Sequence, residues 1–225
     1  GGAAAADGAA PGGASRASIS VVLYDARGHG DSTGWEHFAA CPVRGVRQFH
    51  WRCLAVDMLA VASAHRERLR QASVNVEAAA PGAVLGGYSM GASTALWAAY
   101  TCPSAVRGLV LTCVTTAWEI RRSRRENLLR YATAFEGAKD PASASVVRGA
   151  AFADLPTEEE LREVALPMPA LLMCARDDAT HPAAVVERLG KVLPRSHVVI
   201  YDTSEELHQK FPSVLRTWLS DNFCA

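Results

Sequence analysis

The chain has 225 residues, is 49% hydrophobic and 20% charged, and sets 23 basic residues against 23 acidic ones. That length and mix suit one α/β domain with a sizeable core, and the balanced charge excludes a global field that would draw the protein to nucleic acid or an anionic membrane. No apolar run approaches the length of a membrane span and no charged-then-apolar leader is visible, which points to a soluble, cytoplasmic protein.

Residues 1–17 are a low-complexity Gly/Ala leader, expected to be loop or disorder because it carries too little side chain to fix a fold. Residues 19–24 are β-branched and apolar and read as a strand, followed by the polar turn Asp25-Ala26-Arg27-Gly28-His29-Gly30-Asp31-Ser32. A long helix is expected over 49–71, with Leu54, Met58, Val61 and Leu69 on one stripe and Arg66, Arg68 and Arg70 near its negative end.

The most informative stretch follows. Leu85-Gly86-Gly87-Tyr88-Ser89-Met90-Gly91 carries G-x-S-x-G, with a short apolar run before it and an alanine-rich helix-forming run after it. That context reads as a strand ending in a nucleophile elbow, in which a serine sits on a cramped strand-to-helix turn and glycines two residues either side let the backbones pass. A Gly-rich βα turn with no chemical role is the plain alternative.

Residues 106–114 supply the next strand. The strand–helix alternation then stops over 115–166, too long for a structureless connection, so an inserted helical cap is expected, with a helix over 118–134 and a capping box of Thr157 and Glu160 before 161–165. Arg121, Arg122, Arg124, Arg125 and Arg130 could meet an anionic substrate, but arginines so closely spaced read better as a solvated helix face. Strands over 170–174 and 197–201 flank a helix starting near Pro182, and an amphipathic helix over 211–222 closes the chain. The predicted fold class is α/β, a doubly wound, mostly parallel sheet built from 18–114 and 167–225.

A serine hydroxyl needs a histidine base and an orienting carboxylate to become a nucleophile at neutral pH. Asp177 and Asp178 follow the 170–174 strand, where one can orient a histidine and one can cap a helix. His208 lies in a polar stretch after the last strand, which favours it as the base over His181 and His29. Cys41, Cys53, Cys102, Cys113, Cys174 and Cys224 are scattered, without C-x-x-C or zinc-finger spacing, and read as buried reduced thiols, so no metal or cofactor is expected.

Three segments together resemble the α/β-hydrolase superfamily: residues 25–32 its D-x-R-G-H-G-x-S turn, residues 87–91 its elbow, and Asp178-Ala179-Thr180-His181-Pro182 its D-x-x-x-P acid loop. The resemblance covers 19–223. It implies Ser89 as nucleophile, Asp178 rather than Asp177 as acid, His208 as base, the Met90 N–H as one oxyanion donor, and Asp25, Arg27 and His29 as a structural turn near the site. It also implies a cap that lines the acyl pocket. The expected activity is that of an esterase or lactonase on a small-molecule substrate. The alternatives are C–C bond hydrolysis or haloperoxidase-like perhydrolysis on the same site, or a silent scaffold that binds a ligand or partner.

Two departures from the family pattern stand out. The family's opening strands and the His-Gly loop that gives a second oxyanion donor have no counterpart before residue 19 except the Gly/Ala leader. Either the chain is a fragment, expected to be poorly behaved alone, or Gly1-Gly2 and nearby glycines replace that loop. His208 also lacks the Gly-His-x-x-x-x-Glu setting.

Overall fold

The structure, a computed structural model, describes residues 19–32, 46–72 and 82–224. The elements in chain order are α1 (Trp51–Gln71), β1 (Ala83–Tyr88), α2 (Met90–Thr101), β2 (Val106–Thr112), α3 (Trp118–Gly137), α4 (Pro141–Phe152), α5 (Glu158–Val164), β3 (Ala170–Ala175), α6 (Ala183–Val192), β4 (Ser196–Tyr201) and α7 (Ser204–Phe223). The four strands form one parallel sheet in the order β1-β2-β3-β4.

Helices cover both faces, which explains why β3 and residues 108–111 of β2 are continuous apolar runs rather than alternating ones, with all of β3 buried. Val198 of β4 packs over Gly190 of α6, where a Cβ would come within 2.6 Å of its methyl group. Gly108 of β2 points to the other face, where a Cβ would meet Phe223 at 2.6 Å and Trp218 at 3.1 Å, both on α7. On α6, Val185, Val186, Leu189 and Val192 form the buried stripe. By contrast, α2 is buried from Ala92 to Ala99, and its small side chains let it lie close against β1 and β2.

Residues 19–24 depart from expectation. They form no strand among the described residues, and Ile19 is 53% and Leu23 89% exposed. A strand is stabilised by a neighbour, and composition alone supplies none: among the described residues β1 pairs with β2 only.

The closing helix differs as well. It starts at Ser204 rather than near 211, because Thr203 caps it by accepting the Glu206 N–H, with Glu205 and Glu206 in the positive first turn. His208 is therefore on a helix, not in a loop. Pro212 lies inside that helix and has no N–H to give the His208 carbonyl.

The stretch between β2 and β3 holds α3, α4 and α5, and the capping box of Thr157 and Glu160 is formed. Arg188 of α6 pins this stretch down, pairing with Glu158 and Glu119 and lying 4.2 Å over the Trp118 ring. The arginines of α3 are mostly exposed, with one correction. Arg121 is only 7% exposed, donates to the Ala150 and Ala153 carbonyls and to Thr116, and covers the Trp51 ring at 4.7 Å. Desolvation lowers its pKa to about 10. Of the cysteines, Cys113 and Cys174 are buried, Cys53 and Cys102 half-buried, and Cys224 is exposed rather than buried; all five are free thiols, and Cys41 lies outside the described residues. Among the described residues, no helix is long and apolar enough to cross a membrane.

Candidate active site

Ser89 stands between β1 and α2 with φ 53° and ψ −112°, a conformation that a residue with a Cβ rarely adopts. The surroundings enforce it. The Ser89 N–H donates to the Thr112 carbonyl at 3.0 Å, and the Ser89 carbonyl accepts from the Ser93 N–H at 3.1 Å. Gly87 is required by contact, since a Cβ there would lie 2.5 Å from the Gly91 carbonyl carbon. Gly91 is not required in that way, because a Cβ there would meet nothing within 4 Å. The Met90 N–H opens α2 and has no backbone acceptor among the described residues, so it is free to bind an anionic oxygen at the positive end of the helix.

The turn after β3 separates the two aspartates. Asp177 accepts from the Ser204 N–H at 2.8 Å and from its hydroxyl at 2.7 Å, tying this turn to the start of α7. Asp178 turns inward. One oxygen accepts from the Thr180 N–H at 2.9 Å and the His181 N–H at 3.2 Å, and the other lies 2.7 Å from His181 Nδ1. Burial pushes the Asp178 carboxyl up, but the His181 ring and the two amides outweigh it and hold the group below the usual aspartate value.

The other ring nitrogen of His181 reaches Ser89 Oγ at 2.8 Å. With Nδ1 donating to the carboxylate, Nε2 carries the lone pair and faces the hydroxyl. Serine, histidine and aspartate thus form one continuous hydrogen-bonded chain, with the His181 and Asp178 side chains 10% and 15% exposed.

The histidine is not the expected one. His208 makes no side-chain hydrogen bond among the described residues; it is exposed on α7, with its ring stacked on Tyr88 at 6.5 Å between centroids. The Tyr88 ring also meets His181 edge-on at 5.4 Å, so Tyr88 stands between the two imidazoles. Desolvation, with Cys113 and Asp178 nearby, pushes the Tyr88 hydroxyl up.

Asp25, Arg27 and His29 lie in a turn that Arg27 ties to α1. Asp25 accepts from the Asp31 N–H, Arg27 forks onto both oxygens of Asp57 at 2.7 and 2.5 Å and donates to Gln48, and the His29 ring bonds the Arg27 carbonyl. None of the three shares a hydrogen bond with Ser89, Asp178 or His181. The expectation that Gly1-Gly2 replaces an oxyanion loop lies outside the described residues.

Cys113 carried no functional signal in the sequence. It follows β2 at φ 48°, donates its N–H to the Met173 carbonyl at 2.7 Å, and presents its thiol to Asp178 and His181. Burial pushes that thiol up. A cavity of about 430 Å³ lined by Arg195, His197 and Trp218 lies at the amino ends of β3 and β4, the opposite end of the sheet from Ser89, and holds none of these residues.

Comparison with known proteins agrees with this architecture. The model of the alpha/beta hydrolase family matches residues 6–219. Similar solved structures include a hydrolase from Oleispira antarctica, at 14% identity over 89% of this chain and 81% of the other with a TM-score of 0.61. A thermophilic esterase from Thermogutta terrifontis shares 18% over 77% and 73%, with a TM-score of 0.58. The esterase RhEst1 from Rhodococcus sp. ECU1013 shares 20% over 88% and 79%, with a TM-score of 0.50. No curated protein matches the sequence.

Proposed function

Because the chain belongs to the α/β-hydrolase family, we propose that it is a serine hydrolase that cleaves a small-molecule ester or lactone through an acyl-enzyme on Ser89. The observation that carries this is the unbroken chain from Ser89 Oγ through both nitrogens of His181 to Asp178.

In this reading Ser89 Oγ attacks the carbonyl carbon while its proton passes to His181 Nε2. Asp178 holds the ring in the right tautomer and stabilises the imidazolium that forms. The negative charge on the carbonyl oxygen is met by the Met90 N–H and the helix end behind it. His181 then returns its proton to the departing alkoxide, and a water molecule, deprotonated by the same nitrogen, releases the acid and restores Ser89. In a lactone the alkoxide stays tethered, so ring opening gives a single hydroxy acid. Base and acid come from one turn, so their relative placement does not depend on α7.

The helices α3 to α5 act as a cap in this reading. Supporting it, Arg124 of α3 donates to the Ala179 carbonyl at 2.8 Å, within the turn that carries Asp178 and His181.

A fluorophosphonate probe tests the proposal. Covalent labelling that maps to Ser89, together with hydrolysis of an activated aryl ester that falls by about 10³-fold or more in Ser89→Ala, is expected. An unlabelled, folded protein with no turnover would leave the silent, ligand-binding scaffold.

A further inference from the structure

The ligand atoms of Cys113, Asp178 and His181 lie within 4.8 Å of one another. We propose that these three residues form an inhibitory zinc site superposed on the serine–histidine–aspartate chain. The sequence shows no zinc spacing because the set is assembled from two turns: Cys113 follows β2, and the other two follow the neighbouring strand β3.

A thiolate, an imidazole and a carboxylate together select zinc over magnesium or calcium. Tetrahedral zinc with bonds of about 2.0 to 2.3 Å places its ligand atoms roughly 3.3 to 3.8 Å apart. The widest pair in the set, at no more than 4.8 Å, therefore closes by at most about 1.5 Å, and if zinc takes His181 Nδ1, the Nδ1–Asp178 pair, 2.7 Å apart, opens to admit the metal. Water takes the fourth position. On binding, the Cys113 thiol proton leaves to solvent and a zinc–sulfur bond replaces the S–H bond, with no change in oxidation state.

The consequence for chemistry follows from the tautomer. Zinc on His181 Nδ1 displaces the proton shared with Asp178, and that proton moves to Nε2, because a zinc-bound imidazole keeps its remaining N–H at neutral pH. The nitrogen facing Ser89 then has no lone pair to take the hydroxyl proton. Zinc on Nε2 occupies that lone pair directly. In each case Ser89 is deprived of its base. The coordination rests on geometry alone, whereas the inhibition rests on His181 being the base.

The two parts are tested separately. Metal-stripped protein is titrated with Co²⁺, which takes zinc sites and reports a thiolate ligand through a sulfur-to-cobalt charge-transfer band. The band should saturate at one equivalent, vanish in Cys113→Ser and Cys113→Ala, and weaken in Asp178→Asn, with circular dichroism confirming that each variant is folded. Absence of the band, or an undiminished band in both Cys113 variants, overturns the site. In the activity arm, Zn²⁺ should inhibit aryl-ester hydrolysis reversibly by EDTA, and Cys113→Ser should raise the inhibitory concentration at least tenfold. Equal zinc sensitivity in wild type and Cys113→Ser also overturns it. A Cys113-dependent band in a protein without esterase activity supports the metal site and counts against the Ser89 reading alone.

Discussion

His181 hydrogen-bonds Asp178, the residue three positions before it, at 2.7 Å, so one short turn between β3 and α6 supplies both the imidazole and the carboxylate that orients it. The same carboxylate accepts the His181 backbone N–H. Side chain and main chain of one residue are thereby locked to one acid.

The acid makes a pH-dependent contribution to stability. Asp178 is held below its ordinary value, so the folded state favours its ionised form; the stabilisation is complete above about pH 4 and is lost as pH falls through the folded value. The gap in urea midpoint between wild type and Asp178→Asn should therefore be present at pH 7 and shrink on acidification below about pH 4. A gap that widens in acid contradicts this.

Asp177 should behave differently from its neighbour. It caps the start of α7 through Ser204, so Asp177→Ala is expected to lower stability by about 0.5 to 2 kcal/mol with kcat unchanged. Urea unfolding and ester hydrolysis on the same preparation check both halves.

The two glycines of the elbow are not equivalent. Gly87→Ala drives a methyl group into the Gly91 backbone and should cost about 1 to 3 kcal/mol or prevent folding, whereas Gly91→Ala enters open space and should change stability by about 1 kcal/mol or less. Thermal melts of the two variants decide it; equal losses would mean that the elbow is shaped otherwise.

Arg121 tests whether the arginines of α3 share one role. Its removal strands the Ala150 and Ala153 carbonyls in the interior, so Arg121→Met should lose about 2 to 4 kcal/mol, while Arg122→Ala, on the exposed side, should stay within about 0.5 kcal/mol. Denaturant midpoints of the pair give the comparison.

What could be read from the sequence was local. The turn at Ser89, the buried strands β2 and β3 and the capping box at Thr157 each follow from a few adjacent residues, and each is formed. Pairing was not legible: residues 19–24 have strand composition, yet composition cannot supply a neighbouring strand. Position after the last strand points to His208, whereas the imidazole that meets Ser89 is set by spacing within one turn. Asp178 and His181, three apart and ahead of Pro182, carried the needed signal. Thr203 and Glu206 also announced an early start to α7, but Pro212 interrupts the helical pattern and hides it. Cys113 is brought beside the acid turn by strand pairing, a relation between distant segments that no local pattern records.

In the proposed chemistry His181 serves Ser89 and His208 does not. The direct measurement is kcat/KM for an activated aryl ester on His181→Gln and His208→Gln, each confirmed folded by circular dichroism. A loss of about 10³-fold or more is expected in His181→Gln, and a change of less than about tenfold in His208→Gln, whose ring stacks on Tyr88 and makes no side-chain hydrogen bond among the described residues. Loss of activity in His208→Gln with His181→Gln near wild type would contradict it.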